Sequence, residues 1–159
     1  MHRHDCLLQT TETSAYGMAV YSKVQHQDQV IHTHTDIIPA VVVIEYATIN
    51  LPSWDLCVIG VYASPKVVQK KVNTYLMERM ASCRGRQVIV LGEFNVDLKK
   101  KEVPFQALKD MKQHIQAPTT DYMSILDHIY TNIVDIQTGV FESYFSDHKP
   151  VWIKLKRPN

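Results

Sequence analysis

Residues with the potential for chemistry are concentrated in one short stretch, residues 88–95. Four apolar and mostly β-branched residues predict a buried strand, which Gly92 ends. Glu93 and Asn95 follow two positions apart, so an extended backbone would place them on the same side of the chain. A carboxylate beside a carboxamide suits a hydrated metal ion or a phosphate, because one supplies charge and the other a neutral donor and acceptor. Ordinary strand exits also contain such residues, so this stretch alone leaves both interpretations open.

Further polar residues stand at or near other predicted strand ends: Tyr62, Asp127, and Asp147 with His148. Asp127 occupies a position where the apolar pattern of its strand predicts an aliphatic side chain, so its carboxylate needs a partner. Strand ends from separate segments can meet at one rim of a sheet-based domain, where binding and catalytic sites are commonly built. We therefore expect these side chains to converge with Glu93 and Asn95.

The strands that would position these residues follow from runs of apolar and alternating residues. Segment 25–36 is polar and predicts a hairpin loop or a solvated strand. Strands 56–63 and 88–91 enclose a helical pattern, so this β-α-β order predicts that they are neighbours in one sheet. The predicted strands are 18–21, 39–49, 56–63, 88–91, 124–131, 137–144 and 151–156.

Two helices are predicted between the strands. The first begins with Ser64 as N-cap and Pro in its first turn, and Gly85 stops it. The second begins at Pro104 and is amphipathic, with an apolar side that consists of Leu108, Met111 and Ile115.

Length and composition indicate one ordinary globular domain. The chain has 159 residues, of which 45% are hydrophobic and 21% charged. Seventeen Lys and Arg against 16 Asp and Glu leave a net charge of +1, so the overall field does not indicate a nucleic-acid partner. Local basic clusters such as residues 99–101 fit either a solvated face or a phosphate contact.

The three cysteines are an odd number at no spacing typical of a disulfide framework, which favours a reducing, intracellular compartment. The first five residues lack the apolar run of a signal peptide. The longest apolar stretch, residues 37–44, is too short to cross a bilayer. The sequence therefore gives no indication of a membrane.

His32 and His34 alternate within the polar segment and could face one metal ion. Two histidines without a third ligand nearby are more typical of a protein surface than of a zinc site. We do not expect zinc there.

Four stretches of the chain, in this order, resemble the endonuclease/exonuclease/phosphatase superfamily, the deoxyribonuclease-I-like proteins. The resemblance runs from about Gly17 to Lys156. Within the superfamily, residues 119–122 and 144–150 look most like endonuclease domains of mobile elements, of the Helitron or non-LTR type. The four stretches are Ile59-Gly60-Val61-Tyr62-Ala63-Ser64-Pro65, Val90-Leu91-Gly92-Glu93-Phe94-Asn95, Ser124-Ile125-Leu126-Asp127-His128-Ile129-Tyr130 and Ser146-Asp147-His148-Lys149-Pro150-Val151-Trp152.

The resemblance implies an α/β (α+β) fold, a two-sheet sandwich flanked by helices, and metal-dependent phosphodiester hydrolysis. By this resemblance, His148 would contact the scissile phosphate, and Asp127 would keep the His148 imidazole cationic. Asp147 and Glu93 would hold Mg²⁺ or Mn²⁺. Asn95 would orient phosphate or water, and Tyr62 would donate to a phosphate oxygen. DNA is the implied partner, in an intracellular setting that includes the nucleus. His128 would point to the opposite face of its strand, away from catalysis.

Two departures from the family pattern bear on activity. Glu93 stands where the family has its water-orienting catalytic aspartate, and no match to the family's early metal-binding Glu precedes Gly17. Both departures predict weak or absent activity of this chain. The chain thus resembles a C-terminal portion, with a loose segment 1–16 and a partial domain 17–159 that lacks the first strands. An uncovered sheet edge would favour a homodimer. An inactive remnant that serves as a binding or structural module, and a phosphatase acting on lipid or nucleotide phosphates, stay open beside the DNA endonuclease.

Overall fold

A computed structural model describes residues 2–6, 18–22, 30–38, 42–100 and 105–156. Its helix is α1 (Gln69–Ser82), and short 3₁₀ turns cover Pro52–Trp54 and Gln106–Leu108. The strands are β1 (His2–Cys6), β2 (Met18–Ser22), β3 (Val30–Ile38), β4 (Val42–Leu51), β5 (Leu56–Ala63), β6 (Gln87–Glu93), β7 (Lys112–Gln113), β8 (Asp127–Thr131), β9 (Ile136–Val140) and β10 (Val151–Leu155).

The centre of the fold is a six-stranded sheet in the order β3-β4-β5-β6-β8-β7. Strands β5 and β6 are parallel neighbours, as the β-α-β order predicts, and the other pairs are antiparallel. Antiparallel hairpins form from β1 with β2 and from β9 with β10. The α/β sandwich expected from the resemblance is confirmed.

The sheet is covered on both faces, which explains why residues 56–61 of β5 and 88–91 of β6 are apolar or small on both sides of the strand. Val88 and Val90 of β6 pack with Val72 and Leu76 of α1 on one face. Ile89 lies in a second cluster on the other face, against apolar side chains of the β9–β10 hairpin. This double burial makes the strands rigid supports for the residues at their ends.

The prediction of an amphipathic helix after Pro104 is wrong. Its apolar residues serve different sides of the sheet, because Leu108 belongs to the α1 cluster and Ile115 to the cluster under the β9–β10 hairpin. One helical stripe could not reach both. The chain instead makes a single 3₁₀ turn and then pairs with the sheet, where the backbone N–H of His114 donates to the carbonyl of Ile129 at 2.9 Å.

The first helix begins later than predicted. The N-cap position belongs to Val68, which has an extended backbone, and not to Ser64. Residues 64–67 form a separate turn in which the N–H of Val67 donates to the Ser64 carbonyl at 3.0 Å. The helix ends at Ser82, and Gly85 follows in the left-handed conformation at φ 81°. No described helix is long and apolar enough to cross a bilayer.

The N-terminal region and the cysteines also differ from the predictions. Residues 2–6 are a strand, not part of a loose segment, whereas residues 7–17 and the side chains of His32 and His34 lie outside the described residues. Cys57 and Cys83 form a disulfide that joins β5 to the residue after α1. The cysteine count and spacing gave no sign of this pairing, because the two positions meet only through the β-α-β crossover.

Candidate active site

Three of the predicted site residues lie in one row across the sheet. The register pairs Tyr62 of β5 with Glu93 of β6, and Glu93 with Asp127 of β8. Residues directly opposite one another in neighbouring strands project from the same face of a sheet. The strand pairing therefore brings together residues that are 65 positions apart in sequence, Tyr62 and Asp127.

His148 joins this row from the loop before β10. Its Nδ1 lies 2.9 Å from Oδ2 of Asp127, and its Nε2 lies 3.8 Å from Oε1 of Glu93. The Asp127 carboxylate can only accept, so Nδ1 carries the proton of that hydrogen bond. This imidazole is the partner that the sequence analysis predicted for the Asp127 carboxylate.

Two threonines position the histidine, Thr119 and Thr120, and the sequence analysis assigned no site role to either. Thr120 forms an isolated antiparallel bridge with His148, and the N–H of Lys149 donates to the carbonyl of Thr119 at 2.8 Å. The buried Oγ1 of Thr119 accepts the backbone N–H of Asp127 at 3.1 Å. Thr119 thus ties the start of β8 through its side chain to the loop that carries His148 through its backbone carbonyl. In sequence these threonines have turn composition and belong to a stretch that resembles the family, with no role assigned to either.

Asn95 is bound at the end of β6. Its Nδ2 donates to Oε1 of Glu93 at 2.6 Å and to the carbonyl of Ala63 at 2.8 Å. Its backbone is left-handed at φ 51°, a conformation that asparagine tolerates better than most residues. Just before, Gly92 has φ 137°, and an added Cβ would lie 1.9 Å from the carbonyl oxygen of Val61. The sharp exit of β6 depends on this glycine.

The electrostatics of the cluster are those of one imidazole among carboxylates. Burial lowers the pKa of His148, but Asp127, Glu93 and Asp147 together raise it, so the net pKa lies above the ordinary value. Burial raises the pKa of Glu93, and the nearby Asp127 and Asp147 add to that effect against the opposing His148 and Asn95. The net pKa of Glu93 is therefore raised as well, although His148 by itself favours its charged form.

A possible metal site falls on part of the predicted set. Ligand atoms of Glu93, Asp127 and His148 all lie within 4.8 Å of one another. Asp147, the other predicted ligand, is exposed, and it influences the cluster through its charge while its backbone carbonyl accepts the N–H of Asp121 at 3.0 Å. Two carboxylates and an imidazole are a donor set that Mn²⁺ accepts, and the carboxylates alone with water suit Mg²⁺.

His128 lies on the opposite face, as predicted. It is fully buried, and its ring stacks on Phe94 with centroids 4.9 Å apart. Its Nε2 lies 2.9 Å from the carbonyl of Val96 and 3.1 Å from that of Ile125, so Nε2 carries the proton and donates to both. This side chain connects the loop after Asn95 to the segment before Asp127.

Comparisons with known proteins identify the fold. No family model and no curated protein matches the chain. A solved structure titled endonuclease/exonuclease/phosphatase family protein from Leptotrichia buccalis C-1013-b superposes with a TM-score of 0.59 at 15% identity, over 98% of this chain and 71% of that one. CdtB, the biologically active subunit of cytolethal distending toxin, gives a TM-score of 0.47 at 16% identity over 70% of this chain, which spans about half (52%) of the toxin subunit. The superposition on the Leptotrichia protein shows that the chain has an α/β fold of the deoxyribonuclease-I-like type.

Proposed function

We propose that this protein is a metal-dependent phosphodiesterase that cleaves DNA. One observation carries the proposal: the Asp127–His148 pair lies within reach of the Glu93–Asn95 pair at a rigid rim of the sheet. None of these four side chains belongs to the apolar core clusters of the sheet. A polar cluster of this kind at strand ends is a typical place for catalysis.

His148 binds the phosphate in this proposal. Hydrolysis of a phosphodiester requires positive charge and hydrogen-bond donors at the phosphoryl oxygens. Asp127, Glu93 and Asp147 raise the pKa of His148 against the effect of burial, which favours the cationic imidazole. Asp127 fixes the ring through Nδ1 and leaves Nε2 on the side of the substrate. The Nδ2 of Asn95 donates to Glu93 and to the Ala63 carbonyl, so Asn95 presents its Oδ1 to a water. Tyr62 in the same row donates its hydroxyl to a phosphate oxygen.

Glu93 and Asp127, with Asp147 from the exposed loop, would hold the divalent cation, Mg²⁺ or Mn²⁺. When bound, such an ion supplies Lewis-acid stabilisation of the phosphoryl oxygens and lowers the pKa of a bound water. Oε1 of Glu93 accepts the Asn95 amide, and 26% of the Glu93 side chain is exposed, so its carboxylate would be accessible to a cation.

The plasmid-nicking assay tests this function. Wild-type protein is incubated with supercoiled DNA and Mg²⁺ or Mn²⁺, with an EDTA control, beside His148→Ala and the surface variant Val134→Ala. Nicking that needs the metal, survives in Val134→Ala and disappears in His148→Ala supports the assignment. Equal nicking by all three proteins indicates a contaminating nuclease and removes it.

An inactive remnant is the second candidate, and a specific contact favours it. Oε1 of Glu93 lies 3.8 Å from Nε2 of His148, the atom that would face the phosphate. Calorimetry distinguishes the two functions, because a binding or structural module without a complete site takes up no Mg²⁺ or Mn²⁺ in a saturable manner. Saturable uptake without nicking would instead indicate another phosphate substrate, such as a nucleotide or lipid phosphate.

Two further expectations belong to this proposal. Strand β3 is an edge of the six-stranded sheet and is nine residues long, so we propose that it pairs with a second copy. A light-scattering mass that stays monomeric at every concentration would exclude the homodimer. The kinship with mobile-element endonucleases and the intracellular, nuclear location stay predictions from the sequence.

A further inference from the structure

Asp97 is an acidic residue on the loop that follows β6, two positions after Asn95. Only 13% of its side chain is exposed. A carboxylate that loses contact with water needs hydrogen-bond donors in exchange. The ion pair with Lys100 does not suffice, because its two charged atoms are 3.6 Å apart and the Lys100 side chain is 85% exposed. Other donors must therefore hold this carboxylate.

Those donors are two backbone N–H groups from different parts of the chain. Oδ1 of Asp97 accepts the N–H of Ile125 at 3.1 Å and the N–H of Lys99 at 3.2 Å. Burial raises the pKa of Asp97, but these two N–H groups and Lys100 lower it, and the net pKa lies below the ordinary value. Hydrogen bonds to an ionised carboxylate are stronger than those between neutral groups. One side chain thus binds the loop after β6 to the segment before β8.

Two backbone hydrogen bonds join the same loop and the same segment. The N–H of Phe94 donates to the carbonyl of Leu126 at 2.9 Å, and the N–H of Leu98 donates to the carbonyl of Ile125 at 3.2 Å. In both bonds the loop supplies the donor and the segment the acceptor. The Asp97 carboxylate adds a bond in the opposite direction, because it accepts the N–H of the segment. The relative position of the two backbones is therefore fixed from both sides.

Residues of the candidate site stand next to both ends of this connection. Asn95 precedes Asp97 by two positions, and Asp127 follows Ile125 by two. Asp127 in turn holds Nδ1 of His148 at 2.9 Å. A movement of the segment against the loop would therefore move Asp127 and the imidazole relative to Asn95.

We propose that Asp97 is a positioning residue of the candidate site. Its carboxylate holds the segment before β8 against the loop after β6, and so sets where Asp127 and the His148 ring lie relative to Asn95. Asp97 takes no part in the chemistry itself. The role depends on where its oxygen lies and not on its charge. This inference rests on the proposed phosphodiesterase function and adds a residue to it.

Two substitutions separate the geometry of Asp97 from its charge. Asp97→Asn keeps an acceptor oxygen at the position of Oδ1 and removes the charge. Asp97→Glu keeps the charge and moves the carboxylate by about 1.5 Å, the length of one carbon–carbon bond. Asp135→Asn is the matched control, because the Asp135 side chain is 69% exposed and pairs with Lys156 on the β9–β10 hairpin.

An NMR experiment tests the positioning without catalysis. Full-length protein is labelled at isoleucine and histidine nitrogens, and the signals are the Ile125 N–H and the Nδ1 proton of His148. Asp97→Glu should exchange the Ile125 N–H with solvent at least about tenfold faster and shift the His148 proton, whose position reports the bond to Asp127. Asp97→Asn and Asp135→Asn should keep both signals. A His148 proton that is unchanged in Asp97→Glu, or lost in Asp97→Asn, would overturn the proposal.

Cleavage of plasmid DNA with Mn²⁺ separates this inference from the proposed function. Asp97→Glu should lower kcat between about tenfold and a hundredfold and leave KM within about twofold, whereas Asp97→Asn should stay within about threefold of wild type. The reverse order would show that the charge acts, and would overturn the positioning role. If wild type cleaves and neither variant differs from it, the positioning role is wrong and the phosphodiesterase stands. If wild type does not cleave, the enzymatic function fails, and the NMR signals still decide whether Asp97 positions Asp127 and His148.

Discussion

Glu93→Asp should increase the activity of this protein, although it removes a methylene from a proposed metal ligand. The Glu93 side chain is long enough for its Oε1 to accept the Asn95 amide at 2.6 Å and to lie 3.8 Å from Nε2 of His148. That carboxylate occupies the position beside the imidazole that a phosphate oxygen would take, and it competes with the phosphate for the positive charge of the ring. Aspartate at the same position would withdraw the carboxylate by about 1.5 Å, the length of one carbon–carbon bond.

The size of the increase can be worked out from this geometry. At an effective dielectric constant of about 20, moving the two charges from 3.8 Å to about 5.3 Å weakens their attraction by about 1.2 kcal/mol. That energy no longer has to be overcome when a phosphate binds Nε2, which corresponds to about a sevenfold increase. Better alignment of the water or metal adds to this, because a misplacement of about 1 Å can cost about a hundredfold in rate. We expect an increase of between about sevenfold and a hundredfold.

The assay is the rate of Mn²⁺-dependent nicking by wild type, Glu93→Asp and Glu93→Gln. Glu93→Gln keeps the length and loses the charge, so it should reduce nicking through weaker metal binding. In parallel, NMR titration of His148 should show its pKa lower in Glu93→Asp, since Glu93 is one of the groups that raise it. A Glu93→Asp protein with an unchanged His148 pKa and an unchanged or slower rate would refute the reasoning.

Further predictions concern the supports of the site. Asp127→Asn should lower the pKa of His148 in an NMR titration, because Asp127 is the group that raises it most against the opposing effect of burial. His128 is buried and its pKa is lowered chiefly by burial, although Asp127 and Asp97 oppose this. The free energy of unfolding in urea should therefore fall as the pH drops below the ordinary histidine pKa of about 6.5. The fall should be smaller in His128→Leu, although that variant will be less stable than wild type at every pH. Gly92→Ala should cost at least ~2 kcal/mol in urea unfolding, since its Cβ would lie 1.9 Å from a carbonyl oxygen of β5. Gly85→Ala, with nothing within 4 Å and only a left-handed φ of 81°, should cost about half as much.

The central strands could be predicted from sequence because their burial is complete. Strand β5 has exactly the predicted bounds, Leu56–Ala63, since apolar side chains are required on both of its faces. The same pattern misled the prediction after Pro104, where Leu108 and Ile115 have helical spacing but pack on opposite faces of the sheet. A periodic pattern of apolar residues predicts that those residues are buried, but it does not predict which part of the fold they pack against.

Site residues could be predicted from the sequence where a polar or charged side chain stands at a position whose pattern predicts an apolar one. Asp127 stood out because a charge replaced an aliphatic residue, and the structure gives it His148 as partner. Thr119 gave no such signal, since threonine is common in turns. Its buried hydroxyl is important only because the loop before β10 happens to pack beside it, and that contact depends on tertiary structure alone.

The balance of charge at the rim is a further argument for a cation there. Glu93, Asp127 and Asp147 all influence the pKa of His148, and the imidazolium can neutralise only one of the three carboxylates. A phosphodiester adds another negative charge to the two that remain. Such a substrate would be repelled by about 1 kcal/mol per charge at about 4 Å even in bulk water, and by several times more at a partly buried rim. A divalent ion cancels the excess, so the carboxylates that make the site repel its substrate are the same groups that would recruit the ion needed to bind it.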